Sequence, residues 1–254
     1  MSATLHRIRL IAGHTLGTAL RMKLSLLLAA VAALLVFGAL GLREFNFGTA
    51  ELKFIGDFGL GAIGLLGTLL AALAPAQLFF SDLAGGAAAC VLTRPVRRWE
   101  YVAGQFGGAA ALLALFTATL GALLAALLWW RSSQLGVPPV SLPVLLSACA
   151  LQWMKFTVIA GMTLCVCSYA GTALFASCAG LLGAVIGHLR PFTSGGALAC
   201  LRVWPNLALF DAEALLASGQ PLAGSLLLSL AAYWAACLLL FGVLASYAFK
   251  HREF

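Results

Sequence analysis

Only 9% of the 254 residues are charged, whereas 63% are hydrophobic, and the mean hydropathy is +1.03. Water-soluble domains carry about 25% charged residues, so a chain this poor in charge cannot cover a water-facing surface, and lipid is its main solvent. The formal net charge of +7 would suggest nucleic acid in a soluble protein; in a membrane chain, Lys and Arg retained in cytoplasmic loops account for it, and no nucleic-acid partner is expected.

The first predicted element covers residues 3–21. Leu5, Ile8, Ala12, Leu16 and Ala19 share one helical face, and Arg7, His14 and Arg21 recur on the other. Such a helix lies in the membrane interface with its cations toward headgroups; it does not read as a signal peptide, which needs an apolar run before a cleavage site. Roughly 20 apolar residues cross about 30 Å of hydrocarbon, and runs of that kind predict spans at 24–42, 58–80, 105–130, 143–167, 172–187 and 222–249. The second is rich in glycine (Gly59, Gly61, Gly64, Gly67), a spacing that lets helices approach closely, and Pro75 should kink it near one end. Trp129 and Trp130 end the third at an aromatic-belt position. In the 188–221 loop, Pro205 and Asn206 open a short helix that Gly219 should stop. The expected fold is all-α and integral to the membrane, in one domain, with six transmembrane helices behind an interfacial amphipathic helix.

An even number of spans puts both termini on one side. Arg7, Arg9, Arg21, Lys23, Arg94, Arg97, Arg98, Lys250 and Arg252 lie on that side, nine in all; the other side has Arg43, Lys53, Arg131, Arg190 and Arg202. The excess places the termini, and the 81–104 loop, in the cytoplasm.

That loop is the longest polar interruption between two apolar runs. Ser81 or Asp82 could cap a short helix reaching Leu92, the residue before Pro95 should leave the helical region, and a second helix should start near Arg97. A basic membrane-surface loop is the plain alternative. The residues Asp82, Gly85, Gly86, Leu92, Arg94, Pro95, Arg98, Glu100, Tyr101, Gly104 and Gly107 resemble the first cytoplasmic loop of ABC-2 type transporter permeases. This sequence has Asp82 where that family more often has Glu, and Gln105 where it more often has Lys. The N-terminal helix and the segment Pro205, Asn206, Phe210, Asp211 are also similar to the family's. The resemblance implies a coupling helix that docks on an ABC-type ATP-binding subunit, with Asp82, Leu83, Gly85, Gly86, Leu92, Arg94, Pro95, Arg98 and Glu100 at or near the contact. It also implies a permease of a bacterial inner membrane working as an exporter.

No Gly-x-x-x-x-Gly-Lys-Ser/Thr phosphate loop occurs. The chain is therefore expected not to be an enzyme and to carry no cofactor, with ATP and Mg on the partner subunit. Six spans are half the usual ABC pathway, which implies a second permease copy. Lys155 stands out at the centre of the fourth span, where a cation costs about 2.5–3.5 kcal/mol on insertion scales; with no Asp or Glu inside a span, it either snorkels or faces a wet cavity on a translocation path. His188, Ser194 and Asp211 have no spacing that supports a catalytic triad. The seven cysteines fall mostly in apolar runs, where Cys acts as a small hydrophobe; only Cys200 is clearly in a far-side loop, no disulfide framework is implied, and Cys165 and Cys167 read as packing rather than a metal site. An integral-membrane enzyme acting on lipid or peptide, and a non-transporting sensor or scaffold, are the alternatives.

Overall fold

The computed structural model describes residues 2–41, 51–85, 97–138, 140–190, 204–212 and 224–250, and they are all-helical with no strand among them. Helix α1 (Ser2–Arg21) meets α2 (Lys23–Gly38) at Met22, whose backbone is extended, and the two bend by 64°. Ser25 holds that corner: its hydroxyl donates to the Ala19 and Met22 carbonyls at 2.6 and 2.8 Å, groups that the end of α1 leaves open. Then follow α3 (Glu51–Ala84), α4 (Arg98–Leu135), α5 (Leu142–Tyr169), α6 (Ala173–Leu189), a 3-10 turn (Leu207–Phe210) and α7 (Gly224–Lys250).

Local chemistry sets most of these ends. Gly136 closes α4 in the left-handed conformation, at φ 65°, where glycine bears no Cβ penalty. Pro143 sits in the first turn of α5, where its missing N–H would have had no partner. Thr172 caps α6 by accepting from the Phe175 amide. Helix α3 runs unbroken through Pro75.

Helices α3, α4, α5 and α7 are each long and apolar enough to cross a membrane, and α1 with α2 adds a fifth crossing if the bent pair is one span. The chain is an integral membrane protein on that composition. The expected spans at 24–42 and 172–187 differ in the structure. Helix α2 stops at Gly38, and α6 has 17 residues, about 26 Å at 1.5 Å per residue, short of a full hydrocarbon crossing.

Helices α3, α4 and α5 pack against one another at the centre; α1 lies along α4, α2 and α6 flank α3, and α7 leans on α5. Lipid tails are as apolar as leucine, so association rests on close packing. Glycines supply the room: a Cβ on Gly59 would fall 2.5 Å from Leu124, and one on Gly67 would collide with the Phe156 ring. The α1–α4 contact is built the same way, with Gly104 against Ile11, Gly107 against Ala12 and Gly108 against Thr15. The packed face of α1 is therefore Ile11, Ala12, Thr15 and Ala19. Ala12, Leu16 and Ala19 of the expected apolar face pack inward, whereas Leu5, expected on the same face, is 69% exposed. We expect Gly108→Val to destabilise the protein by about 1–3 kcal/mol through overpacking, because a Cβ there meets the Ala12 carbonyl oxygen at 2.8 Å and backbone cannot swing aside. Gly13→Ala, with nothing within 4 Å, should not lower the thermal midpoint measured in detergent.

Candidate functional site

Two places gather polar side chains inside this apolar bundle. The first is where α3 ends and α4 begins, on either side of the expected coupling segment. Ser81 and Asp82 do not cap a new helix. Both belong to the last turns of α3, which runs to Ala84, and the Ser81 hydroxyl donates to the Leu78 carbonyl at 3.0 Å. A carboxylate near a helix C-terminus opposes the helix dipole, so Asp82 owes its place to other partners. It is buried, and its Oδ2 accepts from the Gln105 side-chain amide and from the Tyr101 hydroxyl; Gln105 also donates to Tyr101 at 3.0 Å. This three-residue clasp joins the last turn of α3 to the first two turns of α4.

Helix α4 starts where the sequence predicts. Glu100 accepts from the Arg97 amide at 3.2 Å, satisfying an N-terminal donor and placing negative charge at the favourable helix end. Glu100 is 1% exposed and pairs with Arg7 of α1 at 3.6 Å. Arg98 donates to the Phe249 carbonyl of α7 at 3.0 Å. The Phe249 ring stacks on Tyr101 and meets Phe79 edge-on, with centroids 5.6 and 5.8 Å apart. The ends of α1, α3, α4 and α7 are thus joined to one another close in sequence to Gly85 and Arg97, the described residues on either side of 86–96.

Of the residues expected to meet an ATP-binding subunit, Asp82 and Glu100 turn inward and act within the bundle. Leu83 is half-buried, Gly85 and Arg98 are exposed, and Gly86, Leu92, Arg94 and Pro95 lie outside the described residues. Cys200, Ser194 and Gly219 lie outside them too. Of the short helix expected after Pro205, the described residues hold a 3-10 turn over Leu207–Phe210, capped by the Asn206 side chain on the Ala208 amide, and residues 213–219 lie outside them.

The second place is a cleft of about 700 Å³ between α3, α5 and α6. Lys155, 6% exposed, lines it from the middle of α5, one turn beyond Gln152. Gly61, Gly64 and Thr68 of α3 form the opposite wall, and His188 of α6 and Asp211 complete it. Asp211 arrives because Leu207 and Phe210, both fully buried, anchor the 3-10 turn against α6 and α5; the Asn206 amide also donates to the Tyr233 hydroxyl at 2.8 Å. Lys155 therefore lines a cleft, and a carboxylate from outside the spans shares it, which the absence of acidic residues within the spans did not anticipate. His188 and Asp211, set aside with Ser194 as an unsupported triad, both line the cleft, and Ser194 lies outside the described residues. Spacing along the chain carries no signal for that meeting; the three-residue interval between Leu207 and Phe210 was the only local trace of an anchored turn. Among the described residues, no group of three or more His, Cys, Asp or Glu could hold a metal ion.

Comparison with protein-family models finds no match, and comparison with curated proteins finds no similar chain. The clasp offers stiffness rather than chemistry, and the cleft offers one charge of each sign, an imidazole and an amide. Asp82→Ala would leave two buried donors, on Gln105 and Tyr101, without their acceptor, a loss of about 1–3 kcal/mol. Asp82→Glu keeps the acceptor and should retain most of the stability in the same thermal unfolding measurement.

Proposed function

We propose that this chain is the membrane-spanning permease subunit of an ABC-2 type transporter that works as an exporter in a bacterial inner membrane. The supporting observation is the set of joined helix ends close in sequence to Gly85 and Arg97, on either side of residues 86–96. A force applied there reaches α3 and α4 together through the Asp82–Gln105–Tyr101 clasp, α1 through Arg7 and Glu100, and α7 through Arg98. That is what a docking segment needs if closure of a separate ATP-binding subunit is to rock the helices as one body. ATP and Mg belong to that subunit, and this chain has no catalytic role. A second permease copy completes the path, and the Lys155 cleft is part of it.

In this reading α2 and α6 each cross the membrane, giving six spans with both termini in the cytoplasm and α1 at the interface. Short apolar helices are accommodated by local thinning of the bilayer. A periplasm-specific reporter fused after Phe254 should stay inactive; activity would reject the six-span topology.

The direct test is co-purification with an ATP-binding subunit encoded by a neighbouring gene. Gly86→Trp should reduce recovery of that subunit from the same membranes without reducing the amount of permease inserted. Equal recovery and equal coupling of ATP hydrolysis would mean that the segment is not the docking element. A membrane enzyme acting on lipid or peptide is the second reading, favoured by the meeting of Lys155, His188 and Asp211 in one cleft; turnover by the purified chain without any ATPase would select it.

A further inference from the structure

We propose that the Lys155 cleft binds the headgroup of a singly anionic amphiphile that also carries a hydrogen-bond donor. This deepens the permease reading and rests on it only for the idea that the bound molecule is moved. The first argument is charge. Lys155 brings a cation to the centre of an apolar helix, and an intramembrane cation facing a cavity is a candidate point on a substrate or ion pathway, where a headgroup anion can share its donors. His188 adds direction. Its Nδ1 lies 2.9 Å from the Ala184 carbonyl, which can only accept, so Nδ1 carries a proton and Nε2 is the atom that can serve a ligand.

The second argument is an acceptor that lacks its donor. Gln152 is 2% exposed and lines the cleft. Its amide nitrogen points at the Leu60 carbonyl, 3.5 Å away, which fixes the orientation of the amide because a carbonyl cannot donate. The buried Oε1 has no hydrogen-bond partner among the described residues. Buried polar atoms are almost always bonded, and only a donor satisfies this one. A ligand whose anion sits beside Lys155 satisfies this acceptor if it also carries a hydroxyl. Asp211 at the rim disfavours a second negative charge.

The third argument is the wall. Leu65, Val185 and Leu189 line the same cleft and are 62%, 54% and 51% exposed. They offer an apolar flank along which a hydrocarbon chain can lie while the headgroup enters between α3 and α5. The volume of about 700 Å³ lies within the range of sites for molecules much larger than an inorganic ion.

The experiment uses the purified full-length chain in detergent with no ATPase present. Affinity is measured by microscale thermophoresis for three probes: dihexanoyl phosphatidylglycerol, with one phosphate and two hydroxyls; dihexanoyl phosphatidylcholine, whose headgroup has no donor; and glycerol 3-phosphate, with no tails. The wild-type protein should bind the first about tenfold or more tightly than either of the others, a difference of about 1.4 kcal/mol per factor of ten. Lys155→Gln and Gln152→Leu should each narrow that preference, the first by removing the charge and the second by removing the acceptor, and Lys155→Arg should keep it. Equal affinity of the wild-type protein for both lipids overturns the proposal and needs no variant to fold. Equal affinity for glycerol 3-phosphate also overturns it, in favour of a soluble anion. So does unchanged lipid affinity in a Lys155→Gln protein that elutes as the same species as wild type. Failure here leaves docking of the ATP-binding subunit untouched, and failure of the Gly86→Trp test leaves this measurement standing.

Discussion

The close approach of α3 to α4 and α5 is the constraint on which the rest of the bundle depends. Helices in lipid gain nothing from hiding leucine from leucine; they gain from contact that lipid cannot match. Gly59 admits Leu124, Gly67 admits the Phe156 ring, and Gly121 of α4 admits the Cys149 sulfur of α5. Each glycine removes a side chain so that a neighbour's fills the gap, and the three central helices become one packed unit. A different face of α3 borders the cleft, where Gly64 brings the backbone close to the Gln152 side chain and Gly61 joins the wall.

Polar contacts set the register of that unit at its two ends. At one end Arg131 of α4 meets Glu51 of α3 at 2.8 Å, with both side chains mostly covered. At the other, Asp82 is held by Gln105 and Tyr101. Both join the same pair of helices, α3 and α4. A slip of one helix along the other by a single turn would break both at once and leave a buried carboxylate without donors. Apolar packing brings the helices together; these pairs select one alignment among the many that apolar surfaces would tolerate.

Helix α3 also connects the two polar places. Asp82 and Gly64 are separated along one continuous helix by about 27 Å at 1.5 Å per residue, and no break occurs between them. The Asp82 end and the cleft wall therefore belong to one element, with no loop between them. The anchored turn at Leu207–Phe210 gives the cleft a wall segment that belongs to no membrane helix, so Asp211 can hold a charge there without being inserted in a span.

Much of this was legible in the amino-acid order, because it depends on local chemistry. The scarcity of charge determined the solvent. The unbroken apolar runs determined α3, α4, α5 and α7, and the starts of α4 after Arg97 and of α6 after Thr172 agree with the helix and span starts read from the residues themselves. What only the tertiary structure decided is rotation and meeting. The packed stripe of α1 takes in Ile11 and Thr15 beside the expected Ala12 and Ala19, because it is set by where Gly104 and Gly108 of α4 leave room for side chains. Asp82, read as a helix cap, proved to be an inward-facing acceptor for Gln105 and Tyr101. Lys155, His188 and Asp211 come from three separate elements, and nothing in their spacing encodes the contacts of α3, α5 and α6 that bring them to one cleft. Those contacts depend on the shapes of side chains and gaps across helices, which exist only once the helices are packed.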